Sequence, residues 1–174
     1  MKRSLIPSQL LGFAVTAIGG TLLHFLYDWL GGSPWIAPFS GVNESTWEHM
    51  KLLLWPMLLV AVIQIRRFPD RTDLPCVKLR GILLGLALIP VLFYTYNGAV
   101  GRSPDWLNIT IFFLSAAIAY LYETRLLLSG RLTACSRGKP AAVLTVLALC
   151  FVLFTFLPPH VGLFQDPLTG TYGI

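Results

Sequence analysis

Charged residues are scarce in this chain of 174 residues: Asp, Glu, Lys and Arg together make up 12% of the sequence. Soluble domains carry about 25% charged residues, so the composition argues against a water-soluble globular protein. The apolar residues form continuous runs, whereas a transmembrane barrel needs alternating segments. No internal repeat is evident in the sequence, and this argues against a transporter built from inverted repeats. The class that remains is a small helical membrane protein.

Cysteine is also rare, with three residues in the chain. Their spacing matches no zinc pattern and provides no disulfide framework. Cys76 and Cys135 fall in loops that we expect to be cytoplasmic, where thiols stay reduced, and Cys150 lies inside an apolar segment. We therefore expect all three to be ordinary packing residues. No motif for haem, flavin or another organic cofactor is present.

Long apolar segments are abundant, and each is close to the ~20 residues that a helix needs to cross a ~30 Å hydrocarbon core. A helix also satisfies its own backbone hydrogen bonds in lipid. The sequence therefore predicts an all-α polytopic membrane protein, with one transmembrane domain over residues 1–174. The predicted helices cover about residues 8–30, 45–66, 77–98, 104–128 and 140–157, and a tail follows over residues 158–174. Residues 166–170, DPLTG, are typical of a tight turn, so we expect this tail to fold back over the bundle.

The positive charges are distributed asymmetrically over the predicted helices. All of the 13 lysines and arginines except Lys51 and Arg102 fall on the side that holds the N-terminus. The positive-inside rule then predicts a cytoplasmic N-terminus and an extracytoplasmic C-terminus. Lys51 is long enough to snorkel outward. The net charge of +5 is thus a matter of topology, and we expect no nucleic-acid partner.

The polar run over residues 41–52, GVNESTWEHMKL, stands directly before the second apolar segment. That segment is too short to span a membrane alone, so its helix must extend into the run and carry Glu48 and His49 with it. Ionisable side chains at membrane depth are costly and indicate a functional site. A capping box from Ser45 to Glu48 is an alternative reason for these two residues. It leaves Glu44 and His49 unexplained.

The first helix carries a second polar group, because Thr16, Gly20, His24 and Asp28 recur at a spacing of four residues, so that neighbouring pairs share a face. His24 and Asp28 lie near the same predicted end as the polar run. They could be a histidine oriented by a carboxylate, two ligands of a metal ion, or a polar pair that joins helices. We expect few ionisable residues in the cytoplasmic halves of the helices. This argues against a path for protons or ions across the membrane.

Histidines and carboxylates together suit a divalent metal ion such as zinc, although no HExxH spacing is present. Adjacent helical residues point about 100° apart, so the co-facial pairs of the run are Glu44 with Glu48 and Ser45 with His49. The candidate metal ligands are His24, Asp28, Glu44, Glu48 and His49. The candidate catalytic residues are Glu44, Glu48 and His49, and the candidate supporting residues are Asn43, Ser45, Tyr96 and Asn97.

Four segments in order, HFLYDW, VNESTWEHMKLLLWP, FYTYNGAVG and LFQDPLTGTYG, resemble an uncharacterised family of small bacterial integral membrane proteins. The likeness covers nearly the whole chain, and the NES-x-WEH-x-KL run is its most specific part. The resemblance implies a multi-pass protein of the bacterial cytoplasmic membrane. It implies no particular activity.

Three functions remain open for a protein whose main partner is the lipid bilayer. The first is a membrane-embedded hydrolase that acts on a lipid or lipid-linked substrate, with a metal ion that activates water. The second is an ion or small-solute binding or transport protein. The third is an accessory subunit in which the polar cluster only locks helices one and two together.

Overall fold

The computed structural model describes residues 2–101, 104–130 and 135–174, without the side chains of residues 2–4 and 105. Arg102, one of the two basic residues predicted on the far side, lies outside this description. The described chain has five helices and no strand, and each helix is long and apolar enough to cross a membrane. This confirms the all-α architecture of five candidate spans. The helices are α1 (Lys2–Trp29), α2 (Thr46–Arg67), α3 (Leu74–Val100), α4 (Asp105–Ser129) and α5 (Gly138–Phe156).

Helices α1 to α4 form a ring in which each packs against the next and α4 closes onto α1. Helix α5 packs outside this ring, against α2 and α3. The most apolar stretch of α2 is 56% buried, whereas that of α5 is 17% buried, so α2 is the central helix. The exposed face of α5 is apolar, as expected of a helix in lipid, and includes Val143, Val146, Leu149 and Leu153.

The two ends of the bundle differ in character. We call the end that holds the start of α2 the pocket end, and the opposite end the arginine end. At the arginine end, Arg71 binds both carboxylate oxygens of Asp73, at 2.8 and 2.7 Å, and also donates to the Leu127 carbonyl at 3.1 Å. This hydrogen-bonded guanidinium holds the pKa of Asp73 below its usual range. The contacts join the loop between α2 and α3 to the end of α4.

A buried ion pair crosses the arginine-end half of the bundle, where the sequence predicts few ionisable residues. Lys78 on α3 pairs with Glu123 on α4, and both side chains are fully buried. The Gln9 side chain joins them, accepting from Lys78 and donating to Glu123. Gly81 makes room for the pair, because a Cβ there would overlap the Glu123 carboxylate. The position of Glu123 near the end of α4 favours an arginine as its partner, but the packing of α3 on α4 supplies a lysine.

A disulfide joins Cys76 to Cys135, with their Cα atoms 6.0 Å apart. The expectation that both are reduced packing residues is therefore wrong. The two cysteines are separated by 59 residues, so no short-range spacing could reveal the pair. The bond ties the start of α3 to the segment that leads into α5.

Replacing Cys76 by Ser is expected to lower the free energy of unfolding by about 2–5 kcal/mol, because the cross-link restricts the unfolded chain. A reductant should lower the melting midpoint of the wild type and leave that of Cys76→Ser unchanged. Cys150→Ser is the matched control, since Cys150 is free. Alkylation of all three cysteines in the unreduced, folded protein would contradict the bond.

Candidate functional site

The loop over residues 30–45 folds back onto the pocket end of the bundle, and two side chains of α2 hold it there. Lys51 donates from Nζ to the Ala37 carbonyl at 2.7 Å, and Trp55 donates from Nε1 to the Pro38 carbonyl at 2.8 Å. Buried carbonyls that would otherwise lack partners are satisfied in this way. The end of the loop is consequently held beside the first turn of α2.

Helix α2 starts after Ser45, whose hydroxyl accepts a hydrogen bond from the Glu48 amide at 3.4 Å. This confirms the predicted cap. The Glu48 carboxylate does not return to Ser45. It accepts from the Val42 amide at 3.1 Å and forms a buried ion pair with Lys51. Lys51 is completely buried, so the expectation that it snorkels outward is wrong, and Glu48 has a structural partner.

A pocket of about 400 Å³ opens between α1, α2 and α4 beside this loop. Its walls are mainly apolar, and its polar side chains come from three helices and the loop. The apolar residues are Phe25, Leu52, Ile109, Phe112, Phe113 and Leu168. The polar residues include His24, Glu44, His49 and Asn108. The pocket is therefore amphipathic.

The Glu44 carboxylate lies between the two histidines. His24 Nε2 is 3.7 Å from Glu44 Oε1, and His49 Nε2 is 3.4 Å from Glu44 Oε2. The two imidazole rings are 5.7 Å apart between centroids. A carboxylate that faces two imidazoles can exchange protons with either ring, so the group is suited to acid–base chemistry or to binding a positive charge.

The structure brings His24, Glu44 and His49 together and leaves two other predicted ligands apart. Asp28 is exposed, and Glu48 is engaged with Lys51. Glu44 meets His49 although the helical spacing predicted a pairing with Glu48. The reason is that Glu44 lies before the cap of α2, where the rule for helix faces does not apply. No group of three or more His, Cys, Asp and Glu side chains within the described part of the chain is arranged to hold a metal ion.

The predicted supporting residues also divide into two groups. Ser45 accepts from His49 Nδ1 through its carbonyl, at 2.9 Å, and the Asn43 side chain in turn accepts from the Ser45 amide at 2.9 Å. These two residues thus orient His49. Tyr96 and Asn97 are not among the residues that line the pocket. The Asn97 side chain donates to the Phe93 carbonyl within its own helix, at 3.0 Å.

The C-terminal tail covers the pocket end, as expected from its turn sequence. Asp166 Oδ1 accepts from the Leu168 amide at 2.7 Å, which closes the turn and places Leu168 in the pocket wall. The Asn43 side chain donates to the Gly173 carbonyl at 2.9 Å. On the other side, the Tyr94 hydroxyl donates to the Gly162 carbonyl at 3.0 Å. The tail is thus part of the site.

Asn108 and the phenylalanines of α4 are the site residues that sequence reasoning missed. Asn108 Oδ1 is buried and has no hydrogen-bond partner among the described residues. The sequence did contain a signal for Asn108, because an amide side chain within an apolar span is costly in lipid and indicates a functional position. Phe112 and Phe113 gave no such signal, since an aromatic residue in a membrane helix is ordinary.

A model of a family of unknown function, DUF6512, matches residues 6–174. The chain belongs to the DUF6512 family. The match includes every residue of the pocket, so the site lies within the family's own domain. No curated protein and no solved structure matches this DUF6512 protein.

Proposed function

We propose that this DUF6512 protein binds an amphipathic molecule in the pocket between α1, α2 and α4. The observation that carries the proposal is the combination, in one cavity of about 400 Å³, of apolar walls with a Glu44 carboxylate held between His24 and His49. Small-molecule sites are typically concave and mostly apolar, with a few polar groups that orient the ligand. A lipid or another molecule with a polar head and a hydrocarbon chain fits this division.

The pocket walls offer a route from the bilayer. Phe25 on α1 is 44% exposed and Ile109 on α4 is 58% exposed, and both also line the pocket. A ligand dissolved in the hydrocarbon could therefore enter between α1 and α4 without crossing water. The distribution of basic residues supports a pocket in the extracytoplasmic half of a bacterial cytoplasmic membrane.

A second candidate is metal-assisted hydrolysis of such a molecule. Its support is that one nitrogen of each histidine faces a Glu44 oxygen, at 3.7 and 3.4 Å, although the described side chains are not arranged as a metal site. Ligand atoms about 2.0–2.1 Å from a tetrahedral zinc ion are separated by roughly 3.3 Å. Elemental analysis decides this candidate: about one ion per chain, lost in His24→Ala and in His49→Ala, would support it. A protein that contains no metal and has full stability would rule out metal-assisted hydrolysis.

Filling the pocket tests the principal proposal. Thr21 lines the pocket, and Thr110 does not. Both are exposed, and both donate a side-chain hydrogen bond of 2.8 Å to the carbonyl four residues earlier. Thr21→Trp and Thr110→Trp are therefore matched variants that differ in whether the indole can enter the cavity.

We expect the wild type and Thr110→Trp to retain about one amphipathic molecule per chain after extensive detergent washing, and Thr21→Trp to lose it. Mass spectrometry of the organic extract measures the amount per chain. Equal retention by Thr21→Trp and Thr110→Trp would refute binding in this pocket. Melting curves of both variants verify that they are folded.

A further inference from the structure

We propose that the head of the bound molecule is a protonated primary amine, held where Glu44, His49 and Asn108 line one pocket with hydrogen-bond acceptors. The inference rests on the proposed function and adds the chemical class of ligand: an alkylammonium amphiphile. It follows from which atoms of the pocket are already supplied with protons.

The first step concerns the tautomer of His49. Its Nδ1 lies 2.9 Å from the Ser45 carbonyl oxygen, and a carbonyl can only accept, so Nδ1 carries a proton. In the neutral ring Nε2 is then an acceptor. This nitrogen faces Glu44 Oε2 at 3.4 Å, and the carboxylate is an acceptor as well. Two facing acceptors need a donor or a positive charge between them.

The second step concerns Asn108. Its Oδ1 is buried without a hydrogen-bond partner in the described part of the chain. Asn108, Glu44 and His49 line the same pocket, and all three also line a small adjoining cavity. A buried carbonyl oxygen without a partner destabilises the protein, because it has lost its hydrogen bonds to water and gained none in return. A ligand that donates to Asn108 would remove this cost.

The third step concerns the donors of the pocket itself. No lysine or arginine is among the described residues that line it. The hydroxyl of Thr21 gives its proton to the Ala17 carbonyl of its own helix. Among its described residues the pocket therefore sets the Glu44 carboxylate beside two imidazoles and beside no lysine or arginine. The negative charge of Glu44 disfavours an anionic head such as that of a free fatty acid.

A primary ammonium group brings one positive charge and three N–H donors. The positive charge suits the Glu44 carboxylate, and the three donors equal in number the three acceptors, which are a Glu44 oxygen, His49 Nε2 and Asn108 Oδ1. The apolar walls would hold the alkyl chain. A quaternary ammonium group has the charge without the donors, and an alcohol has one donor without the charge, so these two heads separate the contributions.

Four probes with one chain length test the inference: n-octylammonium, octyltrimethylammonium, octanol and octanoate, each titrated into the purified protein in a maltoside detergent. The readout is the shift of the melting midpoint, from which a Kd is obtained. We expect n-octylammonium to give the largest shift. Because a charge-assisted hydrogen bond contributes about 1.5–3 kcal/mol, Glu44→Gln should weaken its binding by roughly 10–100-fold.

The controls separate recognition of the amine from simple loss of charge or fold. Asp70→Asn removes one negative charge from an exposed loop residue and should leave n-octylammonium binding unchanged. Asn108→Leu provides a second site variant, which should weaken n-octylammonium more than octanol, and it keeps the test valid if Glu44→Gln does not fold.

Each alternative result overturns the inference. Equal shifts by n-octylammonium and octyltrimethylammonium would mean that charge or the aromatic walls suffice. Equal shifts by n-octylammonium and octanol, both blocked by Thr21→Trp, would leave the proposed pocket in place without amine recognition. Stabilisation by zinc alone would make the cluster a metal site. A failure of the proposed function itself is recognised separately, by equal retention of amphiphile in Thr21→Trp and Thr110→Trp.

Discussion

Replacing Glu123 by Leu is expected to lower the free energy of unfolding by about 3–5 kcal/mol, because it leaves a buried ammonium group without its counter-charge. The partner is Lys78, whose side chain is fully buried with that of Glu123. Gln9 can still accept from Lys78, but an amide oxygen does not neutralise the charge. The measurement is the unfolding of the purified protein in mixed micelles, followed by circular dichroism.

The double variant Lys78→Met with Glu123→Leu distinguishes a charge effect from a packing effect. It removes both charges and keeps similar volumes, so we expect it to recover most of the loss. The coupling between the two sites should then amount to several kcal/mol. A single Glu123→Leu variant within 1 kcal/mol of the wild type would show that the pair contributes little to stability.

Replacing Lys51 by Met is expected to have a comparable effect, again about 3–5 kcal/mol, and also to disorganise the pocket. Lys51 Nζ pairs with Glu48 and donates to the Ala37 carbonyl at 2.7 Å and to the Thr155 hydroxyl at 3.0 Å. One side chain thus joins α2 to the loop and to α5. Without it the loop that carries Glu44 keeps the Trp55 contact but loses one of its attachments to α2, so ligand binding should fall together with stability.

The role of Glu48 follows from the same experiment. If Glu48 serves only to balance Lys51, the double variant Lys51→Met with Glu48→Gln should be more stable than Lys51→Met alone. Melting midpoints and n-octylammonium titrations of Lys51→Met, Glu48→Gln and the double variant provide the comparison. A Glu48→Gln variant of unchanged stability that had lost ligand binding would contradict the structural role and restore Glu48 as a candidate site residue.

The WEH triplet illustrates why the polar run was only partly interpretable. Its three side chains leave α2 in different directions, as the 100° step between helical residues requires. Trp47 stacks on Phe151 at a centroid distance of 4.0 Å, Glu48 pairs with Lys51, and His49 enters the pocket. The sequence predicted this divergence. It could not predict which direction was core and which was cavity, because that depends on the neighbouring helices.

Local rules succeeded where the interacting residues are close in sequence. The number of helices, the Ser45 cap and the turn of the tail follow from hydrophobic length, a hydroxyl before the first turn and an Asp-Pro pair. The orientation of the helices in a membrane and the metal ligands stay predictions. The hydrolase and transport hypotheses likewise rest on chemistry that these rules do not reach.

The sequence by itself determined that this protein is a bundle of five apolar helices with a polar run before the second. Hydropathy depends on the ~20 residues of a single segment, and capping depends on the first helical turn alone. Only the tertiary structure decided that Glu44 belongs with His24 and His49, and that Glu48 belongs with Lys51. These pairings depend on how a loop folds back and how α1 and α4 close on α2. Those contacts join residues that are far apart in the chain, so a pattern of neighbouring residues cannot predict them.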